Sequence, residues 1–200
     1  MGKVLIIGIL IALLAFFIMR KLRLFNNTTN SKKVGISKEI IEINTPLPIL
    51  NQILKKTLIT VGTGVVLLIV MVVLMAKFKI ALLMLPISLY LIGQFFILNN
   101  HIRTIKNQRI FFNTQTNQVT ISDLSGHDYE FNLLINTHSI KEYKSVQRNN
   151  GVLLGYYEII TEYNKIYIPY LAAENPQTKP FFDKLQLFDR VVESKLFPII

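Results

Sequence analysis

The chain has 200 residues, of which 51% are hydrophobic, and it contains no cysteine and no tryptophan; its formal net charge is +10. Without cysteine, disulfides, thiolate metal sites, iron–sulfur clusters, cysteine catalysis and palmitoylation are excluded, and the apolar share exceeds what a soluble domain of this size needs. The charge is unevenly divided: residues 1–100 carry 11 Lys and Arg against only Glu39 and Glu42, while residues 101–200 carry 11 against 10 acids, which suits basic membrane flanks and leaves the second half without the field of a nucleic-acid binder.

Residues 4–19 are an uninterrupted apolar run, about 24 Å as a helix and so slightly short of a hydrocarbon core of about 30 Å. Snorkelling by Lys3 and Arg20 supplies the difference. A cleaved signal peptide is the alternative, but the basic region before the run is one residue, no A-x-A site follows, and Arg20, Lys21 and Arg23 cluster after it, which predicts a retained first transmembrane helix over 1–25. Gly8, Ala12 and Ala15 line one face of it and would let another helix approach closely. Gly2 follows Met1, but Ile6 stands where a myristoylation signal carries Ser or Thr.

Residues 26–57 read as a cytoplasmic connection, polar at 26–33 and then amphipathic. Ile36, Ile40, Ile41 and Ile43 alternate with Lys38, Glu39 and Glu42, and after Pro46 and Pro48 come Ile49, Leu50, Ile53 and Leu54. An interfacial helix lying on lipid fits this pattern; packing against the soluble half fits it equally.

Two apolar runs of 19 residues, 58–76 and 80–98, are separated by Lys77-Phe78-Lys79 and predict a transmembrane hairpin over 58–99. One continuous helix would place both lysines in mid-membrane, at about 2.5–3.5 kcal/mol each. Pro86 is a candidate kink, and Thr63, Ser88 and Gln94 read as helix–helix contacts. The three runs hold no Asp, Glu, Lys, Arg or His, which argues against a pump or ion-coupled transporter.

From Arg109 the period shortens. Residues 109–113 and 119–123, then 128–135, 140–147, 152–163 and 166–170, read as strands divided by turn residues, giving three antiparallel hairpins. In the run 152–163, Tyr157, Ile159, Thr161 and Tyr163 share a face and predict its core side. Phe181, Leu185, Phe188, Val192 and Leu196 then form a stripe at helical spacing, with Pro176 or Pro180 in a first turn. The second half, 105–200, is thus expected to be an α+β domain closed by one amphipathic helix.

The order of a transmembrane hairpin, a meander of short strands, the segments Tyr156-Tyr157-Glu158-Ile159-Ile160 and Asn164-Lys165-Ile166-Tyr167-Ile168-Pro169-Tyr170-Leu171, and a helix beginning near Phe181 resembles small bacterial membrane proteins with a pleckstrin-homology-like domain, the YcxB-like group. The resemblance covers residues 58–196. It implies a split β-barrel capped by a helix, in the bacterial cytoplasmic membrane, used for membrane association and protein assembly. The chain departs from it by its first apolar run, and it lacks the dense basic loop of phosphoinositide-binding members, so headgroup recognition is not carried over.

No catalytic constellation is apparent. His127, Asp128 and Glu130 sit together, but next to Gly126 they read as a solvated hairpin tip; His101 and His138 are remote from them and from each other, without metal-ligand spacing. Gly62-Thr63-Gly64 lies inside an apolar run and lacks the lysine of a phosphate loop. No cofactor is implied. Tyr156, Tyr167 and Tyr170 are candidate partner-surface residues, since interfaces favour tyrosine, although strand tyrosines also serve cores. The expected function is therefore a non-enzymatic, membrane-anchored assembly or accessory subunit whose second half docks another membrane protein or complex; lipid sensing through 34–57 is the alternative.

Orientation follows from the flanks. Arg20, Lys21, Arg23, Lys32, Lys33, Lys38, Lys55, Lys56, Arg103, Lys106 and Arg109 lie to one side, against Lys3, Lys77 and Lys79 on the other, so the amino terminus is expected outside and the second half in the cytoplasm. A reporter active only in the cytoplasm should work when fused after residue 200 and fail before residue 1; the reverse pattern would invert the topology.

Overall fold

A computed structural model describes residues 39–200 except Ala76, 124–127 and Tyr163. The run 4–19, with Gly8, Ala12, Ala15, Arg20, Lys21 and Arg23, lies outside the described residues, as does His127. The described chain is α+β: two long apolar helices and two four-stranded sheets.

The first strand, β1 (Ile40–Glu42), belongs to the connection. It pairs antiparallel with β2 (Gln108–Asn113), Ile41 opposite Phe112. An amphipathic helix through Ile43 is thus corrected to a strand here: Ile43 is buried, and Ile41 packs against the sheet core, so these isoleucines find their apolar partners in protein.

Helix α1 (Leu47–Met75) starts with Pro48 in its first turn and runs without a break through the expected interfacial segment into the apolar run. Its buried residues Leu50, Thr57, Gly64 and Met71 recur every seven residues, which holds one stripe toward a partner helix. That partner is α2 (Leu85–Asn107). They approach closely at Gly64, where a Cβ would stand 2.8 Å from Leu91 Cβ and 3.0 Å from the Ser88 carbonyl oxygen. The chain reverses at Lys77 and Phe78, whose N–H groups both donate to the Leu74 carbonyl, followed by a 3-10 turn, Lys79–Met84. Pro86 does not kink α2. It occupies the first turn, where its missing N–H costs no helical bond. Both Leu47–Met75 and Lys79–Asn107 are long and apolar enough to cross a membrane.

Strands β1, β2, β3 (Gln118–Asp123) and β4 (Asp128–Asn132) form an antiparallel sheet in chain order. The β2–β3 turn is held by Asn113, whose Oδ1 accepts from the N–H groups of Gln115 and Thr116. The second sheet has the order β7-β6-β5-β8, from β5 (Thr137–Ser145), β6 (Gly155–Thr161), β7 (Lys165–Pro169) and β8 (Arg190–Lys195). Ile110, Phe112, Val119 and Phe131 of the first sheet and Ile140, Ile159, Ile166 and Ile168 of the second share one core. Tyr157 packs against this core, as the alternation in β6 predicts.

The expected helix over 181–196 is corrected. Helix α3 spans only Lys179–Leu185, and its Phe181, Phe182 and Leu185 plug the core, with Phe181 and Phe112 rings 5.2 Å apart. Beyond it the chain becomes β8, which pairs parallel with β5 and leaves Val192 and Leu196 exposed. The stripe at helical spacing fails because β5 presents an open edge, and satisfying its backbone groups outweighs continuing a helix whose apolar face is already used.

Gly64→Ala should destabilise the helix pair by about 1–3 kcal/mol through overpacking. At Gly62 a Cβ would meet nothing within 4 Å, so Gly62→Ala should stabilise α1 by up to about 1 kcal/mol through helix propensity. Reversible unfolding in mixed detergent micelles would measure the contrast, and equal stabilities would refute the close crossing.

Candidate functional site

Beyond Leu91, α2 carries polar residues that an apolar helix cannot leave unpartnered: Gln94 and His101 are both fully buried. Asn149 Nδ2 donates to Gln94 Oε1 at 2.8 Å, and Asn150 Nδ2 donates to the Lys56 carbonyl at 3.1 Å, so the tip of the β5–β6 loop is tied to both helices. Asn150 and Gly151 have φ of 48° and 83°, the successive left-handed conformations of a type I′ turn, and Asn149 and Val152 exchange both backbone bonds across it.

His101 Nε2 lies 2.7 Å from the Pro198 carbonyl oxygen. A carbonyl only accepts, so Nε2 carries the proton and Nδ1 is the unprotonated nitrogen. One residue earlier, Asn100 donates to the Ile200 carbonyl and accepts from the Ile200 N–H. The Tyr156 and His101 rings meet at right angles, 6.1 Å between centroids, with Tyr143 4.9 Å and Tyr167 6.0 Å from Tyr156. Glu158 is buried in the same layer, 3.6 Å from Lys165 Nζ and 3.5 Å from the Tyr167 hydroxyl. The outer face of the second sheet is therefore an aromatic and polar layer under α2, opposite the aliphatic core.

A cavity of about 470 Å³ opens beside this layer, where the end of α2 meets β3, β4 and β7; Thr104, Asn107, Gln108, Tyr129, Lys165 and Tyr167 line it. Gln108 Nε2 donates to the Tyr167 carbonyl at 2.7 Å within this lining. Amides, hydroxyls and one lysine, together with the apolar Ile121 and Ile166, make a mixed site that takes a partly apolar group carrying hydrogen-bonding atoms or a carboxylate.

Of the predicted surface tyrosines, Tyr156 is buried within the layer, Tyr167 is half-buried at the cavity, and Tyr170 lies by Tyr157 on the other face, its hydroxyl donating to Glu142. They do not form one surface. Among the predicted basic flanks, Lys55, Arg103, Lys106 and Arg109 are exposed and Lys56 is half-buried. Asp128 and His138 are exposed; Glu130 accepts from Gln118 and Thr120 across the ladder. Among the described residues no three His, Asp or Glu side chains could jointly hold a metal ion. Thr63 and Ser88 donate to carbonyls of their own helices rather than across the pair. Sequence reasoning missed His101, Asn100 and Glu158; His101 recurs four residues after Ile97 and seven after Gln94, which is the signal that it shares their buried face.

No family model matches the chain, and no curated protein or solved structure is significantly similar to it.

Burial pushes the Tyr156 phenol up to about 12, with the neighbouring Tyr143 and Glu158 adding to it. Tyr143 is raised first by burial and then by Glu158 and Glu193. These phenols hold their protons more tightly in the folded chain than in the unfolded one. The stability they carry is complete below about pH 10 and is lost as pH rises through about 12. Unfolding should become progressively easier above pH 10, and Tyr156→Phe should lessen that dependence and remove a component near pH 12 from the phenolate absorbance titration. An unchanged titration would refute this burial.

Proposed function

We propose that this chain is a non-enzymatic, membrane-anchored accessory subunit. Its hairpin α1–α2 and the run 4–19 cross a bacterial cytoplasmic membrane, and its pleckstrin-homology-like second half docks a protein partner on the cytoplasmic side. One observation carries the reading: α2 passes from its apolar stretch into β2 with no intervening linker, Asn107 being followed directly by Gln108. A domain fixed to its anchor in this way presents its surfaces at a set height and angle, which suits assembly better than free capture. The cavity at that junction, lined by Thr104 and Asn107 of α2, is the docking point that we assign; its size suits one or two side chains of a partner, with Lys165 receiving a carboxylate.

Lipid sensing through 34–57 is less favoured, because Ile43, Leu50 and Ile53 are buried in protein and are unavailable to a bilayer. Gentle detergent extraction of the full chain followed by mass spectrometry should recover a defined membrane-protein partner. Lys165→Glu and Asn107→Arg should each reduce that recovery several-fold at matched abundance, while His138→Ala leaves it unchanged. A chain that purifies alone, or recovery indifferent to the cavity substitutions, would overturn the proposal.

A further inference from the structure

Residues 196–200 follow β8 back along α2, and their packing is specific. The Phe197 ring lies 5.6 Å from that of Tyr90 and fills the space beside Gly93, where a Cβ would come within 2.5 Å of the Phe197 ring. Tyr90 and Gly93 lie five to eight residues before Leu98, the end of the apolar run, which corresponds to about 8–12 Å along the helix. Phe197 is thus seated well inside the apolar stretch, and not at its basic end. Leu196, Phe197 and Ile199 are nevertheless 60%, 42% and 55% exposed, and residues 196–200 contain no ionisable side chain. The last charge before them, Lys195, is held over the Tyr143 ring at 3.8 Å.

We propose that residues 196–199 form a non-helical finger immersed in the lipid bilayer beside α2; the proposal rests on the reading that α1 and α2 cross the membrane. Irregular backbone is tolerated in hydrocarbon only when its polar groups are satisfied by protein, and this segment meets that condition over part of its backbone. The Lys195 carbonyl accepts from Val146 N–H, the Phe197 carbonyl from Ile199 N–H, and the Pro198 carbonyl from His101. Pro198 has no N–H to satisfy, and both backbone groups of Ile200 are taken by Asn100. Water would require none of these pairings and would disfavour three exposed apolar side chains. Lipid requires the pairings and favours the side chains. Val146, whose N–H meets the Lys195 carbonyl, and Leu89 and Phe96 on α2 are likewise exposed.

The chain has no tryptophan, so a single introduced one reports its own surroundings. Phe197→Trp, Ile199→Trp and, as a reference on the apolar stretch, Leu89→Trp would each be placed in the full chain and reconstituted into phosphatidylcholine vesicles with brominated acyl chains. The expected result is a loss of emission at 197 and 199 comparable to that at 89, with little quenching by aqueous iodide. Ile199→Trp keeps the test open where the larger ring at 197 disturbs the Gly93 contact. Quenching at 89 with none by bromine at 197 and 199 would overturn the finger while leaving the membrane anchor standing: iodide access would then show water, and its absence a covering protein. Absence of bromine quenching at all three positions would remove the anchor and the finger together.

Discussion

The organisation of the molecule depends on one constraint: polar side chains buried on an apolar helix must find partners. An unpaired buried group costs about 1–3 kcal/mol, and α2 presents Gln94 and His101 at full burial with Asn100 beside them. Their partners are Asn149, the Pro198 carbonyl and the backbone of Ile200, drawn from the β5–β6 loop and the segment after β8. Both segments leave the same end of the second sheet, since β5 and β8 are parallel neighbours. Satisfying α2 therefore orients that sheet and brings its two loops to the same helix.

With the sheet fixed, its two faces divide the work. The inner face contributes Ile140, Ile159, Ile166 and Ile168 to an aliphatic core closed by Phe181 and Phe182, whereas the outer face offers Tyr143, Tyr156, Tyr167 and Glu158 to the helix. Hydroxyl-bearing rings suit that interface because each combines large apolar area with a donor. The parallel pairing of β8 with β5 has its own polar pin, Arg190 to Glu142 at 3.0 Å, with Tyr170 on the same carboxylate. Removing one of the three would leave a half-buried charge short of a partner, so the strand that closes the sheet is also the one most dependent on a polar network.

Much of this was legible in the chain. Apolar runs bounded by Lys77 and Lys79 gave the hairpin turn, and turn residues gave β2 to β7 within a few positions. What failed did so for tertiary reasons. Residues 40–42 and 190–195 each carry a pattern that fits a helix, but each is taken as a strand by an open edge, of β2 and of β5, and no local period reports a distant edge. The candidate site was least legible: Gln94 looked like a helix–helix contact and His101 like an isolated histidine because their partners lie 55 and 97 positions away.

The direct passage from Asn107 to Gln108 also makes α2 a lever. Its 23 residues extend about 34 Å, and β2 prolongs the same chain into the first sheet. On the proposed membrane reading, a thinner or thicker bilayer is accommodated by helix tilt, and the continuous passage from helix to strand would carry that tilt into the first sheet. In such a protein the thickness of the surrounding lipid would set the angle at which the cavity beside Lys165 faces its surroundings.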